Sequence, residues 1–257
     1  MNPQTILIYD GSFDGFLCCI FTAYEQKITS PSIRKESENN NQLFIISETI
    51  YTDEVKAKRV WNGVKDKTSL SQQKDLFKAF LSEIKGVENT LFSYIKNIFK
   101  NPKQLNIDYS NKDILKISQV AKMVQREKHR MEAFVRFKKT KDGVFIATVE
   151  PDFNVLPLLT HHFKDRYADQ KWLIYDIKRA YGIFYDLHKV DIITLDFFSK
   201  LNTSIDQSAY ADKELDFQNL WRTYFKSVNI KTRKNKKLHL QHLPKRYWKY
   251  LIEKNEI

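Results

Sequence analysis

The sequence predicts an α+β fold, a mostly antiparallel central sheet packed against several long helices, with a basic helical C-terminal segment. Three observations carry the prediction. Residues 69–100 and 113–133 place apolar side chains at steps of three and four, the spacing of one helix face. Residues 134–195 hold several runs rich in Val, Ile, Phe and Tyr, interrupted by one helical stretch, which reads as strands around an inserted helix. Only six Gly and six Pro occur in 257 residues, so tight turns are few. The whole of 1–257 reads as a single compact domain; any substructure would divide 1–110, an N-terminal strand–helix region, from 111–257, the sheet and the basic segment.

Taken in order, TILIYD (5–10) predicts a short strand, and GSFDG leads into the helical spacing of FLCCIFTAYEQK. Ser12 suits the N-cap of that helix and Asp14 its first turn, where the dipole favours an acid. ITSPSIRKESENNNQ (28–42) is polar, with a Pro and an Asn triplet, and predicts a mobile loop. LFIISETIY (43–51) predicts a strand, and Thr52-Asp53 starts a helix through VKAKRVWNGV. The amphipathic stretch 69–100 predicts a helix or helix pair, broken near Gly86. FVRFKKTKDGVFIATVEP predicts a hairpin turning at Lys141-Asp142-Gly143. Asn154 or Pro157 opens a helix containing PLLTHHFKDRYAD; KWLIYDIK, YGIFYDL and VDIITL follow as strands. A helix starts near Asp216, NIKTRKNKKLHLQH reads as irregular, and Pro244 suits the first turn of a last short helix, KRYWKYLIEK.

Charge is the clearest functional signal. The chain is formally +12, and residues 217–252 contain ten Lys and Arg with no Asp or Glu. Such a concentration offers itself to a polyanion. Trp221, Tyr247 and Trp248 interleave with the cations, which favours nucleic acid over an acidic membrane: bases stack on aromatic rings while cations track phosphates. The candidate phosphate contacts are Arg222, Lys226, Lys231, Arg233, Lys234, Lys236, Lys237, Lys245 and Arg246. A second basic stripe, Lys122, Arg126 and Arg130, recurs every four residues on one helix, with Glu127 and Glu132 near enough to pair with it. The aromatic residues of the C-terminal segment also suit a role as anchors on the body of the protein, which would hold the cations as a fixed surface.

Other classes are disfavoured. No apolar run reaches the length of a membrane span and the N-terminus lacks the secretory pattern, so a cytoplasmic protein without a membrane partner is expected. Cys18 and Cys19 are adjacent in an apolar run, which suggests burial; without a CxxC or CxxxCxxC pattern they build no iron–sulfur site, and no metal site or cofactor is expected on this chain. No GxGxxG, Walker A, GxSxG or HExxH motif occurs. If the protein is an enzyme, the weak candidates are Asp10, His161, His162 and Asp176. Adjacent histidines on a helix point about 100° apart, so they cannot readily converge on one metal. Glu150 and Asp152 are further available carboxylates, but nothing in their spacing makes them converge.

Five blocks carry a resemblance: YDGSFDGFL (9–17), KHRMEAFVRF (128–137), EPDFNVLPLLTHHFKDRY (150–167), WLIYDIKRAYGIFYD (172–186) and LWRTYFKSVNIKTRKNKKLHLQHLPKRYWKYLIE (220–253). Together the chain resembles a bacterial domain-of-unknown-function family whose members are linked to DNA metabolism. The resemblance implies a setting and no catalytic residues: such proteins are typically encoded beside a radical SAM protein of DNA modification or repair, and some carry a fused uracil-DNA glycosylase-like domain. The iron–sulfur cluster and SAM would then reside on the partner. The leading expectation is a DNA-binding accessory protein in DNA repair or modification, acting with that radical SAM protein. The alternatives are an enzyme acting on damaged or flipped bases, and a protein–protein adaptor that binds the radical SAM protein without touching DNA.

Overall fold

The computed structural model describes residues 5–38, 47–100, 110–194, 210–227 and 235–254, without the side chains of Lys226 and Lys236. Helices and two separate sheets make up the fold. The chain divides into two compact units at Gln125–Arg126, further along than the seam at 110–111 open to the sequence reading.

In the first unit, β1 (Ile6–Tyr9) is the middle strand of a three-stranded sheet, between β2 (Ser32–Lys35) and β3 (Ser47–Thr49). Both pairings are parallel. All four β1 residues are buried, as expected of a strand covered on both faces. The polar stretch 28–42, read as a loop, thus contains a strand. Ile33 is its one buried apolar residue; the ladder to β1 and the Asn89 side chain, which accepts from the Ile33 N–H at 2.9 Å, hold the strand in place. Residues 39–46, the first part of the strand expected at 43–51 among them, lie outside the described residues.

The first two helices start at the caps the sequence offers, and the third at a cap the structure adds. The Ser12 side chain accepts from the Gly15 N–H ahead of α1 (Phe13–Glu25), and Asp53 caps α2 (Glu54–Lys65). Ser69 and Gln72 form a capping box for α3 (Leu70–Leu81). Gly86, at φ +79°, adopts the left-handed conformation that separates α3 from α4 (Val87–Lys100). Phe13 packs edge-on against Trp61, Phe77 and Phe80 with ring centres 5.1–5.3 Å apart, which ties α1, α2 and α3 into one core. The Tyr9 hydroxyl donates to buried Glu88 across this core at 3.1 Å. Burial raises the pKa of both groups, so the pair suits a protonated phenol and a carboxyl that gives up its proton reluctantly.

The unit boundary falls within α5 (Lys112–Phe134). In the second unit a five-stranded sheet runs β4 (Lys138–Lys139), β5 (Phe145–Val149), β6 (Trp172–Asp176), β7 (Tyr181–Tyr185), β8 (Val190–Ile193). Three of its four pairings are antiparallel, as expected. The exception is β5 with β6, which are parallel because α6 (Leu156–Arg166) returns the chain between them. β6 is buried at every position. Trp172 packs with Phe163 and Tyr185 on the two neighbouring elements, at 6.1 Å and 5.5 Å.

The C-terminal region consists of α7 (Glu214–Ser227), α8 (Lys236–His242) and two 3-10 turns, Lys245–Tyr250 and Ile252–Lys254. Here the irregular segment expected at 229–242 is corrected for its latter half: Asn235 caps α8 by accepting from the Leu238 N–H at 3.0 Å. Residues 228–234 lie outside the described residues. No described helix is long and apolar enough to cross a membrane.

Candidate nucleic-acid interface

Because β5 and β6 run parallel, their carboxyl ends meet at one edge, with Val149 opposite Asp176. The chain leaving β5 carries Glu150 and Asp152; that leaving β6 carries Lys178 and Arg179. Glu127 of α5 joins them. Its side chain is 1% exposed and takes hydrogen bonds from the Tyr247 hydroxyl and, at 2.9 Å, from the Asp152 N–H. Arg246 and Arg130 meet its other oxygen at 3.2 and 3.5 Å. Arg246 also reaches Asp152 at 2.8 Å and the Tyr247 oxygen at 2.6 Å. Burial, then the bond to Glu127, raises the pKa of the Tyr247 hydroxyl and keeps it a donor.

Two further carboxylates hold the same segment. Glu253 accepts from Arg136 at 2.8 Å and from the Trp221 indole N–H at 3.0 Å, and the Arg136 guanidinium lies 5.7 Å from the Trp221 ring centre. Glu150 takes Lys249 and, at 2.6 Å, the Tyr250 hydroxyl. Tyr247, Leu251 and Ile252 are buried, and the Tyr247 ring packs 5.6 Å from Phe134. Residues 245–254 are therefore docked on the second unit, held by Glu127 and Glu150 from outside the run of cations and by their own Glu253 on Arg136.

The docking should weaken at acid pH. The bonds from Lys249 and Tyr250 hold the Glu150 carboxyl below its ordinary range. Burial pushes Glu253 up, but Arg136 and Trp221 more than offset it. A depressed carboxylate contributes stability above its unfolded pKa of about 4.3 and loses it as pH falls through the folded value. Amide exchange at 247–252, corrected for intrinsic rates, should therefore show protection at neutral pH that weakens below about pH 4. Protection that stays constant would mean these carboxylates do not hold the segment.

The anchors engage some of the candidate cations. Arg246 is committed to Glu127 and Asp152. Arg222 donates to the Ile252 carbonyl and to Asn219. Lys237 and Lys245 stand exposed. Lys231, Arg233 and Lys234 lie outside the described residues, as do the side chains of Lys226 and Lys236. On α5, Lys122 and Arg126 are exposed while Arg130 turns to Glu127. Of the aromatic residues, Tyr247 is 2% exposed and offers no ring face to a base. Trp248 is half-buried, its indole donating to the Leu243 carbonyl at 3.1 Å. Trp221 keeps 38% of its surface in solvent.

A profile described as a domain of unknown function, DUF4130, matches residues 85–253. The chain belongs to that family. No curated protein and no solved structure matches significantly. The DUF4130 span includes Glu127, Glu150, Asp152, Asp176, Tyr247 and Glu253, and so the whole docking arrangement; the YDGSFDGFL block at 9–17 falls before it.

Within the DUF4130 span the catalytic candidates stand apart from one another in role. Asp176 is fully buried and accepts from the Lys178 and Arg179 N–H groups and, at 2.7 Å, from the Arg179 guanidinium. Arg179 also donates to the carbonyls of Pro151 and Asp152, so this pair clamps the turns after β5 and β6 together. Burial lifts the Asp176 carboxyl above its ordinary range, with Arg179 pulling the other way. His161 is exposed and pairs with Asp165 at 2.5 Å, one helical turn on. His162 lies 3.7 Å from Glu132, which also binds Lys128. A small crevice lined by Met131, Phe134, Val149, Glu150, Tyr247 and Tyr250 contains none of these candidates.

Asp10 belongs to the first unit, ahead of the DUF4130 span. It accepts from the Ser12 N–H and hydroxyl and from the Thr52 hydroxyl at 2.7–2.9 Å. Burial raises its pKa, but these bonds outweigh it and leave the carboxyl below its ordinary range. Gly15 permits the arrangement: a Cβ there would stand 2.3 Å from the carboxylate. Cys18 and Cys19 are both buried, and no group of three or more metal-ligating side chains comes together among the described residues.

Glu127, Glu253, Arg136 and Lys249 carry the docking, yet only Glu127 drew attention in the sequence, as a neighbour of the α5 cations. Their partners lie about a hundred residues away in the chain, a separation no local pattern encodes.

Proposed function

We propose that the protein is a DNA-binding accessory protein in DNA repair or modification, holding phosphates on its C-terminal basic segment. One observation carries the reading. Ten cations without an acid lie in residues 217–252, and the described end of this run, Lys245 to Ile252, is docked through Glu127 and Glu150, with Glu253 just beyond it bound to Arg136. Docking lowers the entropy that the anchored residues would lose on binding, so cations carried on an anchored stretch hold a phosphate backbone better than those of a solvated tail. Cations engaged by the anchors, Arg246 above all, serve the docking; exposed Lys237 and Lys245 serve the phosphates. The resemblance described above supplies the partner, a radical SAM protein that would carry the iron–sulfur cluster and SAM.

Reversing Lys237→Glu together with Lys245→Glu should weaken binding to duplex and single-stranded DNA alike by about tenfold or more at about 50 mM salt. The melting temperature should hold, since both side chains are exposed. Fluorescence anisotropy with labelled oligonucleotides measures the affinity, and an unchanged value would contradict the reading.

A further inference from the structure

Helix α7 leaves a row of large apolar side chains in water: Phe217 is 62% exposed, Leu220 65%, Trp221 38% and Tyr224 55%. An outward helix face is normally polar. These four residues fall at i, i+3, i+4 and i+7 and form one stripe. Trp221 is set in place by its bond to Glu253, and the Tyr224 ring centre lies 5.7 Å from its own. The stripe is therefore a positioned surface with three aromatic rings.

We propose that this stripe is a stacking platform for the bases of single-stranded DNA; the inference rests on the DNA-binding reading above. Composition favours a nucleic acid over an apolar protein groove. Three of the four side chains are rings, which stack on bases of any sequence. The end of α7 carries Lys226 and the chain that continues from it Lys231, Arg233, Lys234, Lys236 and Lys237, with no acid as far as Ile252. A polyanion complements that charge, whereas an apolar groove has no use for it. Geometry favours a single strand. The helical rise sets Phe217, Trp221 and Tyr224 about 6 and 4.5 Å apart along the axis. That exceeds the roughly 3.4 Å base spacing of each strand in a duplex, so successive bases must leave their stack to meet successive rings.

The test compares wild type with a Phe217→Ala, Tyr224→Ala double variant on an unstructured oligothymidine and on a duplex of the same length. Both side chains are exposed and the fold should persist, which a thermal melt checks. Each stacked base lost should cost about 5- to 150-fold in single-strand affinity, with duplex affinity kept within about twofold. If wild type binds both DNAs in a salt-dependent way and the variant retains single-strand affinity, stacking is overturned while phosphate binding stands. Equal weakening on both DNAs would also overturn the proposed selectivity. If wild type binds neither DNA, the underlying reading fails and this one with it. A variant that keeps all DNA binding but no longer binds the radical SAM protein would assign the stripe to a protein contact instead.

Discussion

Glu127→Ala should cost about 2–3 kcal/mol of stability in the second unit, the penalty for leaving a buried hydroxyl without its charged acceptor while the part-exposed guanidiniums turn to water and Asp152. The side chain is 1% exposed and stands between two guanidinium groups, a phenol and a backbone N–H. Alanine removes the carboxylate from Arg130 and leaves Arg246 with Asp152 alone. It also leaves the Tyr247 hydroxyl, in a ring that is 2% exposed, without its carboxylate acceptor. Each orphaned donor keeps its desolvation cost, so the loss exceeds the worth of any one bond. Glu127→Gln keeps an acceptor but no charge, and should cost less. The consequence reaches function through the docking: amides at 247–252 should lose protection in Glu127→Ala before the sheet does. A variant that melts with wild type and keeps that protection would mean that Glu127 does not hold the C-terminal segment.

How far this was legible in the sequence follows from the range of each interaction. Ser12, Asp53 and Ser69 start helices through bonds that reach only two or three residues, and Gly86 breaks a helix by its own φ; such local devices read directly. The hairpin at Asp142-Gly143 is equally local. β2 was missed because a single buried isoleucine leaves no alternation to read, and its ladder depends on β1 some 26 positions away. The helix at Lys236–His242 did carry a readable signal, Asn235 as its cap, which the run of lysines obscured. Asp176 drew notice as an acid on a strand, but only the parallel pairing with β5 turns it into a clamp on Arg179. The anchoring of the C-terminal aromatics was foreseeable from the solvation cost of Trp and Tyr; which carboxylates receive them was not, because Glu127 and Tyr247 lie 120 positions apart.

The second large effect concerns salt. Phosphates held by exposed cations release counterions, so the logarithm of affinity falls linearly with the logarithm of salt concentration, by about 0.9 per phosphate neutralised on duplex DNA. With Arg222 and Arg246 engaged within the protein, seven of the nine candidate contacts in the C-terminal segment remain, all lysines but for Arg233. About six simultaneous contacts give a slope near −5, and a loss of about 10³ in affinity between roughly 50 and 200 mM salt. Such contacts carry no sequence information, so two unrelated duplexes should give the same line. The decisive measurement is therefore the duplex affinity of the wild-type protein across this salt range. A steep, sequence-independent slope that becomes shallower by about 2 in the Lys237→Glu, Lys245→Glu variant is the predicted result. An affinity that does not change with salt, or a slope the variant leaves untouched, would contradict phosphate binding by the C-terminal basic segment.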